Sequence, residues 1–197
     1  MTHGRPAAVV LAGGRARRLG EQDKPLLPVG GVPMLARVVA TLRVDRHRIA
    51  ISANGDPERF AEFACPVLPD GAFAGEGPLA GVLAGLDWAA AQGAETLLTV
   101  PGDTPFVPPG LAAALAPPPA CAASGGRPHW LVAVWPVDCR GRLRRMLSAP
   151  GRRDVAAFAR DIAMRQVDFA VAKWDGFFNV NTPQDLAMAR AIAEGEP

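Results

Sequence analysis

The sequence predicts an α/β fold: a single Rossmann-like domain of three layers, in which a mainly parallel sheet has helices on both faces. Apolar runs of strand length alternate with helical patterns through the first half of the chain. Repeated strand, helix, strand units favour parallel pairing through right-handed crossovers. The length of 197 residues fits one such domain with a full core, and 49% hydrophobic against 20% charged residues is a globular composition.

The predicted elements follow in order along the chain. Apolar runs between turn residues predict strands at 7–12, 48–53, 65–69 and 95–100, and helical spacing predicts helices at 33–44, 57–64 and 79–92. The segment 70–78 is rich in Gly, Pro and acidic residues and predicts a loop. After the proline triplet 117–119 the pattern weakens. A strand is predicted at 130–135, helical spacing continues over 140–165, and Thr182 with Asp185 predicts a nearly complete capping box for a last helix at 183–193.

Composition and charge exclude several classes of function. A net charge of +2 is too small to suggest a nucleic-acid partner. No apolar run approaches the ~18 residues of a membrane span, and the first apolar run is too short for a signal peptide, so we expect a cytoplasmic protein without a membrane partner. The three cysteines are far apart and form no Cys-x-x-Cys pair, which favours reduced, mostly buried thiols over disulfides or a zinc site.

The stretch LAGGRARRLGEQDKPL, residues 11–26, follows the first predicted strand. Adjacent Gly13 and Gly14 allow a tight turn whose main-chain N–H groups can point at phosphate oxygens. Four cations add charge within ten residues: Arg15, Arg17, Arg18 and Lys24. The stretch lies at the C-terminal end of the first predicted strand, and in open α/β sheets ligands collect at the C-terminal ends of the strands. It therefore predicts an anion site, most simply for a phosphate chain. A solvated loop of surface cations is the structural alternative.

The spacing in this stretch matches neither of two common phosphate loops. Pro25 follows Lys24, so the G-x-x-x-x-G-K-[ST] pattern is missing, and Gly13 and Gly14 are adjacent, so G-x-G-x-x-G is missing as well. Lys24 is unusual in a chain with 19 Arg and 2 Lys. An ammonium is a compact point charge that can follow a moving phosphoryl group. Lys24 is therefore a candidate catalytic cation.

Two further motifs carry polar side chains that could bind a ligand. Asp103 in PGDTP follows the predicted strand at 95–100, on the same sheet edge, and Mg²⁺ prefers one or two carboxylates together with substrate phosphates. An Asx-type turn is the alternative role for this residue. In FFNVNTP, Asn179 and Asn181 alternate with Val180 and would point to one side of an extended segment. On spacing alone, the simpler interpretation is that Asn181 and Thr182 end a strand and cap the last helix.

Taken in order, these stretches resemble the molybdenum-cofactor guanylyltransferase family of the nucleotidyltransferase superfamily. The resemblance rests on LAGGRARRLGEQDKPLL with GGVPML after it, GEGPLAGVLAGL, PGDTPF and NVNTPQDL, and it covers about residues 7–190. It implies one nucleotidyltransferase domain over 1–197, with a nucleotide-binding part at about 7–116 and a pterin or acceptor part at about 117–197. It also implies GTP and Mg²⁺ at the sheet edge and transfer of GMP to the terminal phosphate of Mo-molybdopterin, with release of pyrophosphate.

The resemblance also implies roles for individual residues. Main-chain groups of Leu11, Ala12, Gly13 and Gly14 would contact the nucleotide, Arg18 and Lys24 would hold its phosphates, and Asp103 would hold Mg²⁺. Asn54 and Asp70 correspond to guanine or ribose positions, and Gly77 and Pro78 open a helix whose N-terminus can add main-chain donors. Asn179 and Asn181 would line the metal and pterin side. In-line transfer needs mainly positioning and charge neutralisation, so no side-chain nucleophile is required.

The chain departs from the family pattern at three positions, Pro25, Gly55 and Trp130. His129 is either a pterin contact or a satisfied histidine at a strand edge. The arginine-rich segment 140–153 could hold an anionic cofactor or a partner protein, such as a molybdoenzyme or another protein of cofactor biosynthesis, although a solvated helical face is the simpler interpretation. Two other functions stay open: a cytidylyltransferase for a pterin or another phosphorylated acceptor, and a nucleotide- or cofactor-binding adaptor without transferase activity.

Overall fold

The computed structural model describes residues 7–13, 23–151 and 153–195. The strands are β1 (Ala7–Leu11), β2 (Pro28–Val29), β3 (Val32–Pro33), β4 (Arg48–Ser52), β5 (Val67–Leu68), β6 (Thr96–Pro101), β7 (Ala120–Ser124), β8 (Arg127–Pro136) and β9 (Arg165–Asp168). The α-helices are α1 (Met34–Val44), α2 (Pro78–Ala91), α3 (Leu111–Ala114), α4 (Arg140–Ser148), α5 (Val155–Asp161) and α6 (Pro183–Glu194).

Seven of these strands form one sheet in the order β5-β4-β1-β6-β8-β7-β9, and β2 pairs with β3 in a separate hairpin. The strands β5, β4, β1 and β6 are parallel to one another. Strand β8 runs antiparallel to both neighbours, β6 and β7, and β9 is parallel to β7. The sheet is therefore mainly parallel, with β8 as its antiparallel member, and the predicted α/β fold class is confirmed.

Helices cover both faces of the sheet because alternate residues of a strand point to opposite sides. On one face Ala8 and Val10 of β1 pack with Leu35, Val38, Val39 and Leu42 of α1. On the other face Ala7 and Val9 pack with Leu79, Val82, Leu83 and Leu86 of α2. Gly85 allows α2 to approach closely, since a Cβ at this position would lie 2.9 Å from Leu97 and 3.0 Å from Val9. These contacts give the three predicted layers.

The second half of the chain differs from the prediction. Helical structure was predicted over 140–165, and this prediction is wrong at the end of the range. Helix α5 stops at Asp161, Ala163 has a positive φ of 52°, and Arg165 begins a strand. The pattern did not indicate β7, because Ala120–Ser124 consists of small residues, although all five are buried in the sheet. In the first half of the chain, the predicted helix at 57–64 is a 3-10 helix over Pro57–Phe63.

The sequence predicts reduced, mostly buried cysteines and no membrane span. All three cysteines are free; Cys121 and Cys139 are buried and Cys65 is partly buried. Burial raises the pKa of the Cys121 thiol to about 11, and burial, followed by the charge of Asp138, raises that of Cys139 to about 12. Within the described ranges, no helix is both long and apolar enough to cross a membrane.

Candidate active site

Three strand ends meet at one edge of the sheet. The register places Leu11, the last residue of β1, beside Ser52 of β4 and Pro101 of β6. Hydrogen bonds continue just beyond the strands, from Ala12 N to Ser52 O at 2.9 Å and from Gly102 N to Leu11 O at 2.9 Å. The segments that carry the predicted site residues therefore start from one rigid edge.

Lys24 and Asp103 contact each other across this edge. Lys24 begins a 3-10 turn, Lys24–Leu26, and its Nζ forms an ion pair with Asp103 Oδ2. The next residue, Pro25, is buried against Gly102: a Cβ built on Gly102 would lie 3.1 Å from Pro25 Cβ. Pro25, a departure from the family pattern, thus packs on the residue before Asp103. The two charged side chains are only 14% and 17% exposed, so water screens their interaction weakly.

Asn179 and Asn181 complete a closed ring of polar side chains with this ion pair. Lys24 Nζ donates to Asn181 Oδ1 at 2.6 Å, and Asn181 Nδ2 donates to Asn179 Oδ1 at 2.6 Å. Asn179 Nδ2 then donates to Asp103 Oδ1 at 2.7 Å. We call these four residues, Lys24, Asp103, Asn179 and Asn181, the polar ring. It joins residues up to 157 positions apart in sequence.

The segment that carries the two asparagines is fixed at both ends. Val180 N donates to Asp103 O at 3.0 Å, and the Val180 side chain is fully buried in a small cluster with Leu27, Val29 and Met34. Thr182 caps α6 in a complete capping box with Asp185. Asp185 Oδ2 also accepts from Asn181 N at 2.8 Å. The helix cap proposed from the sequence is therefore present, and the side chain of Asn181 belongs to the polar ring as well.

We predict that Asp185→Ala lowers the free energy of unfolding by about 1 kcal/mol at neutral pH, because α6 loses its capping box. Burial tends to raise the pKa of Asp185, but hydrogen bonds from Asn181 and Thr182 and the charge of Lys24 together lower it. A lowered folded-state pKa stabilises the protein above the unfolded-state value, and this contribution is lost as pH falls through the folded-state value.

Denaturant titrations at several pH values check this prediction. The difference between Asp185→Ala and wild type is expected to be full at pH 7 and to shrink as the pH falls below about 4, the ordinary pKa of a carboxyl group, through the lowered folded-state pKa of Asp185. Asp161→Ala is the matched control, because Asp161 is an exposed acid of α5 paired with Arg142. A difference for Asp185→Ala that does not change with pH would contradict the assigned role of the carboxylate.

A cavity of about 300 Å³ opens between the ends of β1 and β4 and the start of α2, at the sheet edge where β1 and β6 also end. Six of the residues predicted to bind a nucleotide line this cavity: Leu11, Gly13, Asn54, Asp70, Gly77 and Pro78. Its wall also contains Ser52, Gly75 and Gly81. Ala12 does not line it; this residue is buried and its N–H is used by Ser52 O.

Asn54 and Asp70 hold each other at the cavity wall. Asn54 Nδ2 donates to Asp70 Oδ2 at 2.6 Å, and Asp70 N donates to Asn54 Oδ1 at 2.9 Å. Arg59 supports this pair by donating to Asn54 O at 2.6 Å and by forming an ion pair with Asp23. No sequence motif indicated Arg59. The sequence feature connected with Arg59 is Gly55. A glycine leaves space there for the Arg59 guanidinium, which lies 3.5 Å from the position that a Cβ on Gly55 would take.

A second cavity, of about 250 Å³, is lined in part by Asn179 of the polar ring. Its lining is mainly apolar and includes Pro101, Thr104, Trp130, Val155, Phe177 and Asn179, together with His129. The His129 ring packs on Phe177 with centroids 5.0 Å apart, and its Nε2 lies 2.7 Å from Ser124 Oγ. Burial lowers the pKa of His129, against an opposing effect of Asp175. His129 is therefore a neutral ring at the cavity wall near pH 7.

Some of the predicted cations fall outside the described residues, and others pair with acids of the chain. Gly14 and Arg18, like Arg15 and Arg17, fall outside the described residues, as does Arg152. In the arginine-rich segment three side chains form ion pairs within the chain: Arg142 with Asp161, Arg144 with Asp87, and Arg153 with Glu76. Glu76 lies in the loop before α2, so Arg153 connects the segment before α5 to the wall of the larger cavity.

The donor atoms of the polar ring are suited to a hard divalent cation. Mg²⁺ takes one or two carboxylates and completes its coordination with water and phosphate oxygens. Asp103 supplies a carboxylate at the sheet edge, and the neighbouring asparagines supply amide oxygens. Among the described residues, no group of three or more His, Cys, Asp or Glu forms a metal cluster. The residues fit a cation that binds together with a phosphate ligand better than one held by the protein alone.

Comparisons with known proteins show the family of the chain. A family model for the MobA-like NTP transferase domain matches residues 8–167. The chain is 54% identical over 184 residues to the molybdenum cofactor guanylyltransferase of Acidiphilium cryptum, covering 93% of each chain. It is 45% identical to the protein of the same name from Rhodopseudomonas palustris strain HaA2, covering 98% of this chain and 94% of the relative.

The fold is also similar to solved structures. Molybdopterin-guanine dinucleotide biosynthesis protein A from Archaeoglobus fulgidus superposes with a TM-score of 0.72 at 21% identity, with 96% of this chain and 99% of the other covered. The family model and the relatives place the chain in the nucleotidyltransferase class. Within that class, the chain belongs to the MobA-like NTP transferase family.

Proposed function

We propose that this protein transfers GMP from GTP to the terminal phosphate of Mo-molybdopterin, releasing pyrophosphate and forming the molybdopterin guanine dinucleotide cofactor. The observation that carries the proposal is the polar ring at the sheet edge, together with one cavity at the ends of β1 and β4 and a second cavity that Asn179 of the ring lines. A transferase must hold two substrates on either side of the bond that forms, with charge compensation between them. Full-length relatives that carry the name molybdenum cofactor guanylyltransferase support this substrate pair.

The larger cavity is the proposed site of the guanine nucleoside. Asn54 and Asp70 offer polar atoms at its wall, and Leu11 and Pro78 offer apolar surface for a flat base. Main-chain groups of Gly13 and Gly77, together with Gly14 and the backbone of Ala12, are proposed contacts to the rest of the nucleotide. The triphosphate would then extend from β1 toward β6, where Lys24 and Arg18 are the proposed cations on its phosphates.

Asp103 is the proposed protein ligand of Mg²⁺, with Asn179 and Asn181 on the same side. Bound there, Mg²⁺ would neutralise charge on the phosphates. Lys24 compensates the charge that builds up between the α-phosphorus and the departing pyrophosphate, and its ammonium is already oriented by Asp103 and Asn181. The acceptor phosphate oxygen bonds to the α-phosphorus as the bond to pyrophosphate breaks, so no side chain acts as nucleophile.

The smaller cavity is the proposed acceptor side. Trp130 and Phe177 offer aromatic surface for a pterin ring, and His129, neutral near pH 7, can donate or accept one hydrogen bond there. We accordingly propose a nucleotide-binding part at 7–116 and an acceptor part at 117–197 within one domain. We further propose that the product passes to a molybdoenzyme or to another protein of cofactor biosynthesis. The proposed location is the cytoplasm, since the two buried free thiols suit a reducing compartment.

Pyrophosphate release with GTP, CTP or ATP, in the presence of molybdopterin and Mg²⁺, tests the proposed function. We expect turnover with GTP, weaker turnover with the other two nucleotides, and none after Mg²⁺ is removed with a chelator. Turnover with CTP alone would make the protein a cytidylyltransferase. Binding of GTP without any release of pyrophosphate would favour the adaptor.

A further inference from the structure

Among the described residues, four buried side chains carry a hydroxyl group, and they differ in whether that hydroxyl has a hydrogen-bond partner. Those of Thr99, Thr104 and Ser124 each have a hydrogen-bond partner: Thr99 donates to Leu131 O at 2.8 Å, Thr104 to Pro101 O at 3.0 Å and Ser124 to Asp175 at 2.7 Å. Ser52 is only 3% exposed and lines the larger cavity, and no hydrogen bond between described residues uses its hydroxyl. A hydroxyl at a cavity wall that has no protein partner is free to pair with a ligand or with water.

The position of Ser52 shows where such a ligand would lie. Ser52 ends β4 and lines the larger cavity together with Leu11 and Gly81. Gly81 makes the space for its hydroxyl, because a Cβ on Gly81 would lie 2.4 Å from Ser52 Oγ and 3.2 Å from Leu11 Cδ2. A small residue in α2 and a buried hydroxyl in β4 thus form one wall of the cavity.

The sheet order separates Ser52 from the polar ring. Asp103 follows β6, whereas Ser52 ends β4, and β1 lies between these strands. Neighbouring strands are about 4.8 Å apart, so the hydroxyl is about two strand spacings from the proposed phosphate end. A nucleotide whose phosphates lie at Lys24 and Asp103 would reach Ser52 with its nucleoside. In the same cavity, the Asn54 amide already shares two hydrogen bonds with Asp70.

We propose that Ser52 is a specificity-determining residue whose hydroxyl binds the polar edge of the guanine base. The inference rests on the proposed use of GTP and adds a contact that the motifs did not indicate. A hydroxyl both donates and accepts, so it can pair with the oxo group or with the ring and exocyclic N–H groups of guanine. An adenine presents a different pattern, and a site built for one hydrogen-bond pattern rejects a base that leaves it unpaired.

Equilibrium binding of GTP, ITP, ATP and CTP to the full chain, without acceptor, tests the proposal with wild type, Ser52→Ala and the control Ser148→Ala, an exposed serine at the end of α4. We expect Ser52→Ala to weaken GTP binding about tenfold while ATP and CTP change less than about twofold. A loss shared by GTP and ITP assigns the contact to the oxo edge, and a loss for GTP alone assigns it to the 2-amino group; both support the proposal.

Two outcomes would overturn it: unchanged GTP binding, or equal weakening of GTP, ATP and CTP, which would place the hydroxyl at the ribose. Unchanged thermal unfolding of Ser52→Ala is the check on folding. Failure of the proposed function would give a different result. If wild type binds GTP with a selectivity that depends on Ser52 but transfers no GMP to molybdopterin, only the proposed transferase activity is contradicted. Normal transfer by wild type with unaltered binding by Ser52→Ala contradicts only the base contact.

Discussion

Asp103→Asn is expected to lower kcat at saturating GTP and Mg²⁺ by at least about 10³-fold, with the fold intact. The substitution keeps the size of the side chain and removes its charge. It takes away both the proposed Mg²⁺ ligand and the partner that orients the Lys24 ammonium. The main chain at this position is still held, because Asp103 O accepts from Val180 N. A large loss of activity without a loss of structure is therefore the expected signature.

Steady-state pyrophosphate release and circular dichroism, measured on the same samples, check this result. Asp103→Ala is expected to behave in the same way. Asp87→Asn is the control, since Asp87 is a partly exposed acid of α2 that pairs with Arg144 of α4. Activity near the wild-type level in Asp103→Asn would mean that the divalent ion and the reacting phosphates bind elsewhere in the molecule.

Lys24→Ala is expected to lower kcat at saturating GTP by about 10²-fold to 10³-fold, because the lysine stabilises charge that develops only in the transition state. Lys24→Arg is expected to restore only part of the rate, since a planar guanidinium cannot take the place of the compact ammonium between Asp103 and Asn181.

Full kcat and KM values for GTP separate the two possible roles of this lysine. A loss in kcat agrees with transition-state stabilisation, whereas an increase in KM with unchanged kcat would make Lys24 a ground-state binding residue. Lys173→Ala is the control, because Lys173 is the other lysine of the chain and lies beside Trp174.

The part of the site that the sequence could predict follows two parallel strands. Asp103 comes directly after β6 and Lys24 is in the stretch after β1, and parallel strands bring their carboxyl ends to one edge, so the topology favours their proximity. The pairing of Asn179 with Asp103 could not be predicted in this way. It depends on the irregular segment before α6, whose position is set by one buried valine and one main-chain hydrogen bond.

Ser52 and Arg59 were missed for different physical reasons. Ser52 is in a strand whose other residues build the core, so its hydroxyl gives no periodic signal. Arg59 lies in a short 3-10 helix, where its contacts with Asp23 and Asn54 depend on long-range packing. Similarly, the small residues of β7 form a strand because β8 and β9 pair with them, and their own side chains have little preference for a strand.

A crystal structure with GTP and Mg²⁺ bound tests the central claim most directly, which is that one nucleotide spans the larger cavity and the polar ring. We predict that the base contacts the wall formed by Ser52, Asn54 and Asp70, with the phosphates at Lys24 and the cation at Asp103. Phosphates bound away from Lys24 and Asp103, or a base bound in the cavity lined by Trp130 and Phe177, would contradict the account.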